Sequence, residues 1–141
     1  MNWPLVALLS LAGVMMGLLS VRGHTRGIEP YLWAVLAIFA AIVIARTAGG
    51  RPFLHGLATG AAWGLLNGAV AAALFPIYRR HNPEVMARIA GSGVQPGGPA
   101  DDSSRWMFLL GALPIGLGTG LVLGLLALLA GRVIREAPSP G

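Results

Sequence analysis

The chain has no cysteine, which excludes disulfides, thiolate metal sites and cysteine nucleophiles. It has no lysine either: all ten positive charges are arginine. With abundant alanine and glycine this suggests a GC-rich, bacterial coding sequence and says nothing of function. Charge of either sign is scarce, at 11% of the 141 residues against 55% hydrophobic, well below the roughly 25% charged share of an ordinary soluble domain. A mean hydropathy of +0.72 completes the case for an integral membrane protein.

The few charges are also confined. They fall between four charge-free blocks: the N-terminus to Val21, Pro30 to Ala45, Pro52 to Tyr78, and Trp106 to Gly131. A helix needs about 20 apolar residues to cross a hydrocarbon core of about 30 Å. The first, third and fourth blocks satisfy that length. The second reaches it only when continued to Ala48, with Arg46 extending its guanidinium to the interface. Trp3, Tyr31, Trp33, Tyr78 and Trp106 lie near block ends, where aromatic anchors belong. The predicted spans are 3–21, 30–48, 53–78 and 106–131, in a single all-α domain, with a three-span arrangement holding a re-entrant second block as the alternative. The apolar run LVALLSLAG near the start is followed by no small-x-small cleavage site and preceded by no positive region, so it reads as a retained span.

No carboxylate lies inside any block. Ion-coupled transporters and intramembrane aspartyl proteases depend on such groups, so both classes are disfavoured. His24, His55 and His81 stand in different segments without metal-ligand spacing. The GSG at 91–93 lacks the strand-to-helix context of a nucleophile elbow. The expectation is a non-enzymatic protein with no cofactor, no metal and no nucleic-acid partner.

What the sequence does have is glycine in register. Gly56, Gly60, Gly64 and Gly68 recur every four residues in the third block; Gly116, Gly120 and Gly124, preceded by Ala112, do so in the fourth, and Gly13 and Gly17 in the first. Residues four apart on a helix advance about 400°, so each series forms a slowly slanting groove on one face. Such small-xxx-small grooves let helices approach closely in lipid, where the hydrophobic effect provides no drive between them. The prediction is a compact four-helix bundle packed through these glycines. Internal packing and pairing with a second copy or another membrane protein are both open to it.

Polar residues within the blocks are few. His55, Thr59, Trp63 and Asn67 make a second four-residue series beside the glycines. Asn67 and Thr59, with Thr119 opposite, are candidates for a small polar cavity; interhelical hydrogen bonding is the plainer use of Asn67. His55, close to Pro52, is expected among lipid headgroups. Pro114 inside the fourth block predicts a kink near Gly111 to Gly116, and Pro76 a mild kink or termination.

The longest loop spans 79–105. Asn82, Pro83 and Glu84 read as a helix start, with Asn82 as N-cap, and Glu84 and Arg88 are spaced for an ion pair. A short surface helix is predicted at 83–90, its Val85, Met86 and Ile89 turned to the membrane, followed by a flexible linker at 91–102. Ser103 or Ser104 is expected to cap the fourth span. Arg79, Arg80 and His81 are candidates for contact with an anionic lipid. The first and third loops carry six arginines and the opposite side four, which by the positive-inside rule puts both termini outside the cytoplasm.

These readings predict a structural, assembly or accessory module of the cell membrane. The alternatives are an uncoupled channel or carrier for a neutral solute built on Asn67, Thr59 and Thr119, and a lipid-contacting regulator using Arg79 and Arg80.

Overall fold

The computed structural model describes residues 1–91 and 101–136, and all of its regular structure is helical. The elements are α1 (Trp3–Val21), α2 (Glu29–Thr47), α3 (Pro52–Ala73), α4 (Phe75–His81), α5 (Pro83–Gly91) and α6 (Asp101–Glu136). Three helices, α1, α2 and α6, are long and apolar enough to cross a membrane. A fourth candidate results when α3 and α4 are counted together as one bent span.

Helix ends follow local chemistry. The Asn2 side chain accepts from the Leu5 amide at 3.1 Å and Pro4 occupies the first turn, starting α1. Gly23, with φ +69°, turns the chain out of α1. A methyl group on it would lie 2.9 Å from the His81 carbonyl oxygen, so both backbone angle and space exclude a larger residue. Gly49, with φ +63°, closes α2 in the same left-handed manner.

The third predicted span, 53–78, does not form a straight helix. The chain breaks at Leu74, with φ −102° and ψ 27°, and α4 leaves α3 at 88°. Pro76 accounts for the place. In a continuous helix it would have no N–H for the Ala72 carbonyl and its ring would press on that turn, while the residue before it is pushed from helical angles. The fourth predicted span, 106–131, is longer than expected. α6 already includes residues 101–104, so it starts before Ser103 and Ser104, and it continues through Pro114.

α3 is the central helix. It packs most extensively on α6 and next on α1, while α2 leans mainly on α6. The Arg51 end of the molecule is filled by Ala40, Ala41 and Ile44 of α2, Trp63 of α3, and Leu123 and Ala127 of α6. At the other end Val21, Ala71, Phe75, Tyr78 and Met86 form a second cluster. α5 contributes Met86 to that cluster, with Val85 and Ile89 against it. The short helix therefore turns its apolar side into the protein, where a pure surface helix would turn it to lipid. The predicted linker falls on residues 92–100, outside the described residues, apart from Gly91 in α5 and the first residues of α6.

Candidate functional site

Two faces of α3 carry the two four-residue series, and they meet different partners. The glycine series faces α6. A methyl group on Gly56 would lie 2.6 Å from the Gly124 Cα, and on Gly60, Gly64 and Gly68 it would overlap Gly120, Gly116 and Ala112 in turn. The reverse holds from α6: a methyl on Gly116 would sit 2.9 Å from the Ala61 carbonyl oxygen and one on Gly124 2.7 Å from the Phe53 ring. Gly111 and Gly118, off that register, have nothing within 4 Å of such a methyl.

The polar and aromatic series faces α1. His55 is 1% exposed. Its Nδ1 donates to the Arg51 carbonyl at 2.7 Å, and its Nε2 accepts from the Asn2 amide at 2.8 Å. The expected headgroup position is therefore replaced by a buried tie between the starts of α1 and α3, and both ring nitrogens are used. Two turns on, the Trp63 indole donates to the Leu9 carbonyl at 2.7 Å. Gly13 makes that reach workable, because a methyl there would lie 2.8 Å from the Trp63 Cα. Trp33 of α2 stacks obliquely on Trp63 at 5.4 Å between centroids. Gly17 lies over Val70 and the Asn67 side chain.

Thr59 and Asn67 complete this face. Thr59 is fully buried, and neither its hydroxyl nor the Asn67 Oδ1 has a hydrogen-bond partner. Thr119 donates to the Ile115 carbonyl one turn back, at 2.9 Å. Thr59 and Thr119 do not line the clefts described below.

Asn67 instead lines a cleft of about 290 Å³ whose walls include Ser20, Glu29, Ala71, Tyr78, Phe108 and Ile115. The cleft opens where α4 turns away from α3. A second cleft, of about 450 Å³, shares Glu29 and Tyr78 with the first and adds Arg26, Glu84 and Arg88. On α3 the first is lined by Gly64, Asn67, Gly68 and Ala71, and the second by none of its residues. Glu29 is the hinge between them, its Oε2 accepting from the Thr25 hydroxyl at 3.3 Å and its Oε1 from the Trp33 indole at 3.4 Å.

In the Arg79 to His81 segment, which ends α4, Arg79 is half-buried and Arg80 and His81 are exposed. Arg26 donates to the His81 carbonyl, and His81 Nδ1 pairs with the Ile77 carbonyl at 2.9 Å. Asn82 stands at the N-cap position of α5, its carbonyl accepting from the Met86 amide at 3.2 Å, and its side-chain amide also donates at 3.0 Å to both Ser20 and Tyr78 carbonyls, tying the end of α4 to the end of α1. Glu29, Ser20 and Tyr78 escaped the sequence reading as site residues because each lies in a different segment. The i, i+4 spacing of Thr25, Glu29 and Trp33 is the one signal that marks the carboxylate as held in place.

Among the described residues no three His, Asp or Glu side chains are grouped to hold a metal ion. No protein-family model, no curated protein and no solved structure matches the chain.

Proposed function

We propose that the protein is a non-enzymatic multi-pass membrane module with a structural, assembly or accessory role. In this reading it is a four-helix bundle in which α1, α2, bent α3–α4 and α6 each cross the bilayer. It is held by glycine packing and placed in a bacterial inner membrane with both termini outside the cytoplasm. The observation that supports this over a pore is the fit of Gly56 and Gly60 against Gly124 and Gly120, which leaves no room for solute between α3 and α6 at that end of their contact. A channel or carrier needs a polar path to both faces, and the 290 Å³ cleft draws its walls from one end. Its partners would be membrane lipids and a second membrane protein, either another copy or a different chain.

Two measurements test this. Vesicles containing the protein should be no more permeable to glycerol or urea than protein-free vesicles; a protein-dependent flux abolished by Asn67→Ala would establish the carrier reading instead. Native mass in nanodiscs should show that Gly64→Leu destroys the folded protein. Folded Gly64→Leu monomers from an oligomeric wild type would move the glycine packing to an interface between chains.

A further inference from the structure

We propose that the cleft at the Tyr78 end of α3 binds an amphiphilic ammonium, a single positively charged amine carried on an alkyl chain. The inference goes beyond the assembly role and stands or falls separately from it. Ligand sites are mostly apolar with a few placed polar groups, and here the placement is specific. Among the described residues Glu29 is the single charged one on the walls of the 290 Å³ cleft, and no arginine or histidine of theirs lines it. A cation is thus the complementary head.

The Glu29 carboxylate has capacity to receive it. Its two oxygens accept one hydrogen bond each, at 3.3 and 3.4 Å, whereas a carboxylate offers about four acceptor sites. Tyr78 and Phe108, packed edge to face at 4.9 Å, stand on the same walls. Aromatic faces attract quaternary and primary ammonium groups within about 6 Å. A carboxylate beside two aromatic rings is the donor set such a head requires.

The remaining walls suit a chain. Ala71, Met107, Ala112 and Ile115 are alkyl surface, and Gly111 leaves a gap in which an added methyl would meet nothing within 4 Å. Asn67 also stands on the wall, but its Oδ1 is buried against Gly17 of α1 and does not face the ligand. Past Glu29 the adjoining cleft carries Arg26 and Arg88 against one further carboxylate, Glu84. That excess of positive charge disfavours a second ammonium, so the site favours a monocation with its charge at Glu29.

The test is equilibrium binding of radiolabelled dodecyltrimethylammonium to the full chain in nanodiscs of zwitterionic lipid, with empty nanodiscs subtracted. Wild type should bind saturably, and dodecanol should not compete. Glu29→Gln should weaken binding at least tenfold, because it removes the charge but keeps the acceptor. Gly111→Leu, whose Cβ meets no neighbouring atom within 4 Å and whose branched end would occupy the trough, should do the same with an unchanged melting profile. Glu84→Gln, in the adjoining cleft, should stay within twofold of wild type. Equal binding by wild type and Glu29→Gln, or equal competition by dodecanol, would overturn the proposal, as would unaltered binding by a folded Gly111→Leu.

Discussion

The two ends of α3 solve the same packing problem in opposite ways. From Arg51 to Gly64 the helix meets α6 backbone to backbone through glycines, and its other side is tied to α1 by His55 and Trp63. From Asn67 to Tyr78 the neighbours are side chains, the helix breaks, and clefts open around Glu29. The difference follows from where small residues and prolines fall. Glycine pairs bring helix axes together and exclude everything else, whereas Pro76 turns the chain out and leaves a gap that α5 only partly covers. One end of the helix is built for rigidity and the other for access.

That contrast can be broken most severely at Gly60. Gly60→Leu must displace the α6 backbone at Gly120, and overpacking of this kind costs about 3 kcal/mol or more where backbone has to move; loss of the folded species in a denaturant titration is the expected readout. Next in size is Trp63→Phe, which gives up the bond to the Leu9 carbonyl. A loss of about 1 to 2 kcal/mol is expected, near the upper range for interhelical hydrogen bonds in membranes, with faster hydrogen exchange in the middle of α1. Smaller again is Asn67→Ala at the open end. The Asn67 Oδ1 has no partner to lose, so stability should change by no more than about 0.6 kcal/mol. The sharpest control is a pair in one helix: Gly118→Ala should be neutral or gain up to about 1 kcal/mol in helix propensity, while Gly120→Ala, facing the Leu57 backbone, should destabilise. Equal effects at the two positions would remove the distinction between seam and free face.

Much of this was legible because periodicity survives in a single sequence. Four-residue spacing is enough to say that Gly56 to Gly68 share a face and that His55, Thr59, Trp63 and Asn67 share the one beside it. What spacing cannot give is which helix each face meets. The polar series looked like a cavity lining, but its first and third members are spent on α1, because Asn2 and Leu9 lie 53 and 54 residues away. Asn82 had the local signature of an N-cap, yet its amide reaches Ser20, 62 residues away, and that bond depends on the bend at Leu74. Pro76 was visible; an 88° turn was not, since a proline near a helix end can kink it, stop it or redirect it depending on what lies beyond. The cleft was legible only through Asn67. Its carboxylate sits at the first residue of α2, outside any apolar run, where a search confined to intramembrane acids does not look.

The length of α6 gives the glycine contacts a mechanical meaning. Its charge-free stretch runs from Trp106 to Gly131, about 39 Å at 1.5 Å per residue, against a hydrocarbon core of about 30 Å. Such a helix must tilt, protrude or thicken the lipid around it. Because the glycines of α3 and α6 interlock backbone against backbone, α6 cannot slide along its neighbour to relieve the mismatch.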